Sequence, residues 1–309
     1  MKASRKVSDH PIISLTGPEG GFPNRAIEGS PIWHPLRKRF EMTFSGLNAL
    51  RSVPPFWRVY GATSPDGVAW TLSKGGAPLI PTSEGEWDFR EQGRSCQYVE
   101  DGVTWLFYNG SDDMPDAYHP GTLKIGLASS SDGIFWEKHG VVLQGTIPRH
   151  TRYSCWVTRQ GTTYVMLYND NRFEFHISRA TAPSLQGPWT PDPGNPIITG
   201  EGTPWANKAE DCSVVRRDGE YLIFVDDLCY SQGTPYGIPV YRTRDIIEGP
   251  IEFAELFIPL PDARGRFRWD SGSIGTPGAC LAPDGRVLLL YSGPQDGDGA
   301  RIGAVFIEP

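Results

Sequence analysis

Glu210 and Asp211 stand side by side within residues 208–227, KAEDCSVVRRDGEYLIFVDD. Adjacent carboxyls at the head of a strand can exchange protons, hold a cation or bond a polar ligand. Similar units elsewhere in the chain open without acids. Judged by the distance to the next turn, Arg94 and Arg152 fall where Glu210 falls in this one. Glu28, Trp87, Asp88, His150, Trp269 and Asp270 take related places in other units, and Trp205 precedes the pair in its own. Acids and bases mixed at one mouth suit a polar small ligand better than a protein groove. Arginine favours bidentate contact with carboxylate or phosphate. Arg94 and Arg152 therefore either neutralise neighbouring Asp residues or meet an anionic group, such as a uronic acid or inorganic phosphate.

The elements that must position these residues repeat along the chain. Middle strands are expected at RFEMTFSG (39–46), VTWLFYNG (103–110), TTYVMLYND (162–170), EYLIFVDD (220–227) and RVLLLYSG (286–293). Aromatic and β-branched residues crowd these runs, as packed strands require. Phe44, Tyr108, Tyr168, Val225 and Tyr291 recur every 57 to 66 residues, so five units account for the chain. Asp-Gly turns join strands, and SPDGVAW (64–70) and SSDGIFW (130–136) place a Trp after a second such turn. Asp bonds the backbone two residues on and Gly takes positive φ. The repetition makes these turns structural, with the Trp plugging between neighbours. Units of four short strands around an axis predict an all-β fold, a five-bladed β-propeller with four antiparallel strands per blade. The expected blades are roughly 21–80, 81–144, 145–200, 201–262 and 263–309, with 1–20 supplying an outer strand that closes the ring.

Bulk composition agrees. Of 309 residues, 36 are Gly and 28 Pro, about a fifth of the chain and too turn-rich for long helices. Ten Trp and twelve Tyr suit β packing and sugar stacking. A net charge of −7 without a basic run argues against nucleic acid or an anionic membrane as partner. No apolar run is long enough for a secretory signal or a membrane span. Five Cys (96, 155, 212, 229 and 280) with no CxxC spacing read as small buried fillers, and a cytoplasmic location is expected. His10, His34, His119, His139 and His176 show no metal spacing. No metal or cofactor is expected, except that the Asp-rich mouth would accommodate Ca²⁺ or Na⁺ near the axis. GxGxxG, P-loop, GxSxG and HExxH motifs are absent.

EDCSVVRRDGEYLIFVDD, IEGSPIWHPLRKRFEMTFSG (27–46), WDFREQGRSCQYVEDGVTWLFYNG (87–110) and the Asp-Gly-x-x-Trp turns resemble blades of five-bladed glycosidases. The resemblance is to the arabinanase and β-xylosidase type, glycoside hydrolase family 43, with its fructosidase and mannoside-phosphorylase relatives. It implies cleavage of a glycosidic bond in a small oligosaccharide or glycoside by a carboxylate acid and base, with inversion. Glu210 matches the acid; its alternative is a buried bridge to Lys208 or a channel Arg. Glu28 and Asp88 are the candidates for the base. The Trp87-Asp88 and Trp269-Asp270 pairs are alternatively turn caps, and Asp270 otherwise joins the ligand-binding set of Arg94, His150, Arg152, Asp211, Trp87, Trp205 and Trp269. The family's assisting Asp in the third blade is replaced, since TRYSCWV (151–157) carries Arg152 at its head instead. That departure keeps two other readings open, phosphorolysis through an Arg cluster and a non-catalytic sugar-binding propeller.

Overall fold

The computed structural model describes residues 3–6, 12–13, 25–47, 57–113, 122–147, 150–173, 176–199, 209–226, 237–257, 274–293 and 302–309. These residues form five four-stranded antiparallel sheets, the five-bladed β-propeller that the repeat spacing predicts. The innermost strands are β2 (Arg25–His34), β6 (Glu91–Glu100), β10 (Arg152–Gln160), β14 (Cys212–Arg217) and β18 (Gly275–Leu281). They contact one another around the axis. The second strands are β3 (Arg39–Leu47), β7 (Val103–Ser111), β11 (Thr163–Asp170), β15 (Glu220–Val225) and β19 (Val287–Ser292). Packed between blades on both faces, β15 and β19 lack the alternation of a half-exposed strand, and Tyr221 through Val225 and Val287 through Ser292 are all buried. The fifth sheet is completed from the other end of the chain. Its outer strand β1 (Ala3–Lys6) pairs antiparallel with β20 (Ile302–Ile307).

The repeated turns are structural in the way their chemistry predicts. Asp66 Oδ1 accepts the backbone N–H groups of Val68 and Ala69 at 2.8 and 2.9 Å, and Gly67 has φ 76°. Asp132 does the same for Ile134 and Phe135 at 2.7 and 2.9 Å. These N–H groups hold both carboxyls below their ordinary range. Trp189, which ends the looser SLQGPW turn at 184–189, packs edge-on against Phe107 of the preceding blade with ring centroids 5.8 Å apart. Cys96, Cys155, Cys212 and Cys280 are buried free thiols, as expected of small fillers. Cys229 lies outside the described residues. None of the helical segments among the described residues is long and apolar enough to cross a membrane.

Candidate functional site

Four of the five innermost strands carry one bulge each, and the bulges meet at the axis. Register slips between Ile27 and Ser30, Gly93 and Cys96, Tyr153 and Trp156, and Gly275 and Gly278. Inside each slip one residue has positive φ: Glu28 (61°), Arg94 (40°), Ser154 (51°) and Thr276 (47°). In the fourth blade the Glu210 N–H donates to the Asp226 carbonyl (2.9 Å) and the Asp226 N–H to the Asp211 carbonyl (2.7 Å), so two residues again face one. A left-handed backbone at residues other than Gly costs about 1–3 kcal/mol and persists where its surroundings over-determine it.

Those surroundings are links from one blade to the next. The backbone N–H of Arg94 donates to Ser45 Oγ (2.7 Å), that of Ser154 to Asn109 Oδ1 (3.2 Å) and that of Thr276 to Asp226 Oδ2 (2.8 Å). The Glu28 N–H donates to Ser292 Oγ (3.1 Å), joining the fifth blade to the first. Asn169 supplies the remaining link by donating Nδ2 to the Ala209 and Glu210 carbonyls, each at 3.3 Å. Each acceptor or donor stands at the end of a second strand. The five positions are legible in the sequence as the polar residue of the recurring FSG, YNG, YND, VDD and YSG triplets.

The ring therefore reads Glu28, Arg94, Ser154, Asp211, Thr276. These residues, together with Cys155, Cys212 and Pro277 among others, border a cavity of about 30 Å³, about one water molecule's share of volume. Neither Arg152 nor Glu210 is the counterpart of Arg94, contrary to the expectation. Glu210 corresponds to Tyr153, one place earlier on its strand. Asp211 and Arg94 both lie eight residues before their turn Gly, the signal that marks the true correspondence.

Arg94 holds the centre. Its Nε lies 3.2 Å from Glu28 Oε1, and its Nη1 lies 3.0 Å from Glu210 Oε1 and 3.3 Å from Asp211 Oδ1. Nη1 also donates to Ser154 Oγ at 2.8 Å, and the guanidinium lies 4.9 Å over the Tyr153 ring. The Tyr153 hydroxyl reaches Glu210 Oε1 at 3.4 Å. Ser45 Oγ donates to Glu28 Oε2. Burial raises the Glu28 carboxyl, against the lowering by Arg94 and Ser45. Burial also pushes Asp211 up to about 7; Arg94 opposes this while Glu210 and Glu28 add to it. Asp211 Oδ2 is buried without a hydrogen-bond partner among the described residues, the environment of a neutral carboxyl. Burial would lower the Arg94 guanidinium, but Asp211, Glu210 and Glu28 together hold it well above its ordinary range.

The other expected residues lie elsewhere. Asp88 is fully buried in a separate cluster, accepting from Thr82 (2.8 Å), Gln92 (3.0 Å) and Tyr108 (2.8 Å) and pairing with Lys138 at 3.0 Å. With its oxygens saturated it is a structural hub, which corrects its candidacy as base. Trp87 is a structural wedge rather than a sugar platform. It packs on Tyr108 with centroids 5.4 Å apart and covers Gly110 and Gly126, where a Cβ would come within 2.4 and 2.3 Å of its ring. His150 and Arg152 converge on Asp170 instead of the axis. His150 Nδ1 accepts from the Thr146 N–H (3.0 Å) and its Nε2 faces Asp170 Oδ1 (2.8 Å). Burial lowers the imidazole, Asp170 opposing, so the ring is neutral with its proton on Nε2. Arg152 gives Nε to Asp170 (3.1 Å) and Nη1 to the Gln144 carbonyl (3.0 Å), and Arg172 pairs with the same Asp170. Trp205, Lys208, Trp269 and Asp270 lie outside the described residues.

Among the described residues no group of three or more His, Cys, Asp or Glu has the geometry to hold a metal. The axial acids surround a guanidinium instead, so a Ca²⁺ or Na⁺ ion would have to displace Arg94, and the residues present do not fit it.

No protein-family model matches the sequence, and no curated protein matches it. Solved structures do match, over nearly the whole fold. A glycoside hydrolase superposes with TM-score 0.74 at 15% identity, covering 100% of this chain and 92% of that one. A thermostable family-43 glycoside hydrolase gives 0.65 at 15% identity, covering 95% and 93%. A structure from work on the GH130 family of mannoside phosphorylases, which contains hydrolases of β-1,2 mannosidic linkages, gives 0.68 at 13% identity, covering 100% and 94%. At these identities the likeness is one of fold, and that fold is the five-bladed propeller of the glycoside hydrolases that the sequence resembles.

Proposed function

We propose that the protein hydrolyses a glycosidic bond at the axial cluster, with Glu28 as general base and Glu210 as general acid. One observation carries this reading: carboxyls from the first and fourth blades converge on a single guanidinium beside a cavity with room for one water. Among the described residues both Glu28 oxygens meet donors, Arg94 Nε and Ser45 Oγ, the setting of a proton acceptor. Burial makes that carboxylate more basic than a solvated one. Glu210 accepts from Arg94 and Tyr153 on Oε1, so Oε2 is the oxygen it would turn to the leaving group. Inversion follows from activation of a water rather than direct attack. The folds of the glycoside hydrolases named above support a carbohydrate substrate.

The phosphorolytic reading needed arginines turned toward an anion. Arg94 faces three carboxyl groups and Arg152 is engaged by Asp170 and Gln144, so water is the favoured acceptor. The test is a panel of neutral aryl glycosides assayed with and without phosphate. Turnover is expected without phosphate, falling at least about 100-fold in Glu28→Gln and in Glu210→Gln while the folded state is retained. A stable, fully active Glu210→Gln protein refutes the acid assignment, and saccharide binding without product identifies a binding propeller instead.

A further inference from the structure

We propose that Ser45 is a positioning residue that fixes Glu28 as a proton acceptor; this rests on the hydrolase reading above. Ser45 is 1% exposed and sits at the end of β3, in the triplet that links the first blade to the second. Its oxygen accepts the Arg94 backbone N–H at 2.7 Å. That donor has no proton acceptor function, so the polarity of the contact is set by the main chain. The hydroxyl proton must point away from it, and among the described residues it meets Glu28 Oε2. The chain of donation runs from the Arg94 N–H to Ser45 Oγ to Glu28, in one direction only.

The surroundings preserve this arrangement. A Cβ on Gly93 would stand 3.0 Å from Ser45 Oγ, so the residue before Arg94 leaves room for the hydroxyl. Glu28 is held through its backbone as well, by Ser292 of the fifth blade. Its left-handed conformation and its carboxylate are thus clamped from two neighbouring second strands. The other blade links use Asn109, Asn169, Asp226 and Ser292; Ser45 alone, among the described link residues, also bonds a carboxylate of the ring.

The experiment compares wild type, Ser45→Ala and Ser45→Thr by carboxyl ¹³C NMR titration, with the Glu28 resonance assigned from Glu28→Gln. In Ser45→Ala the Glu28 titration is expected to move up by about one pH unit, the loss of one hydrogen bond to a charged acceptor. The acidic limb of the kcat/KM profile for whichever glycoside is turned over should move with it. Ser45→Thr keeps the hydroxyl and should restore both. A Glu28 titration unmoved in Ser45→Ala, or a Thr variant as perturbed as the Ala variant, overturns the proposal. Should Ser45→Ala fail to fold, Ser45→Cys, a weaker donor, gives the same comparison. The NMR readout needs no substrate, so it still decides the role of Ser45 if no hydrolysis is found.

Discussion

Asp211→Asn should change how the stability of this protein depends on pH, in a direction and size set by the axial cluster. The Asp211 carboxyl rises from an ordinary 3.8 to about 7 because it is buried beside Glu210 and Glu28, with Arg94 only partly offsetting them. In the unfolded chain the same group ionises near 4. Below pH 4 both states hold the proton and Asp211 contributes no pH dependence. Between about 4 and 7 the unfolded state has released the proton and the folded state still holds it. Asp211 by itself therefore lowers stability there by about 1.4 kcal/mol per pH unit, and by about 4 kcal/mol over the whole interval, before its contribution levels off. Asparagine cannot titrate, so this decline should vanish in the variant. An amide nitrogen in place of the unpartnered Oδ2 adds a cost that does not depend on pH. The difference in unfolding free energy, Asn variant minus wild type, should rise by about 4 kcal/mol from pH 4 to pH 7.5, whatever its absolute level. Urea unfolding at half-unit pH steps measures it. Parallel stability curves for the two proteins would refute the assignment of the resting proton to Asp211.

Two further substitutions separate scaffold from site. Asp88→Ala should lower stability by at least about 1–3 kcal/mol by leaving the Thr82, Gln92 and Tyr108 donors without their acceptor, while Lys138 keeps Glu86 at 2.9 Å, yet leave kcat unchanged in the folded fraction; a loss of kcat without a loss of stability would return Asp88 to the catalytic set. Gly110→Ala brings a Cβ within 2.4 Å of Trp87 and 2.7 Å of the Asp88 Cβ, so the wedge must shift at a cost of about 1–3 kcal/mol in thermal or urea unfolding. A variant as stable as wild type would show that Trp87 is not wedged there.

Much of the architecture is written locally. The buried second strands declare themselves as aromatic and β-branched runs, and their spacing counts the blades because each blade repeats one length of chain. The Asp-Gly turns are legible because Asp66 and Asp132 bond N–H groups only two and three residues away. Glu28, Glu210, Arg94 and Asp211 were also visible as charged residues near the heads of innermost strands. The site's logic was not. Matching Arg94 with Arg152 and Glu210 was off by one residue, and in a strand one residue separates the two faces; the bulges align it with Ser154 and Asp211.

What this sequence determines by itself is therefore the fold and the pool of candidate side chains, since both depend on periodicity and composition along the chain. Only the tertiary structure decides which of those side chains meet. Glu28, Arg94 and Glu210 are separated by more than a blade in sequence yet share one guanidinium, whereas Asp88, only six residues from Arg94, is buried in a different cluster. Charge pairing at the axis depends on how five blades close into a ring, and that closure is set by contacts between distant strands, which leave no local mark.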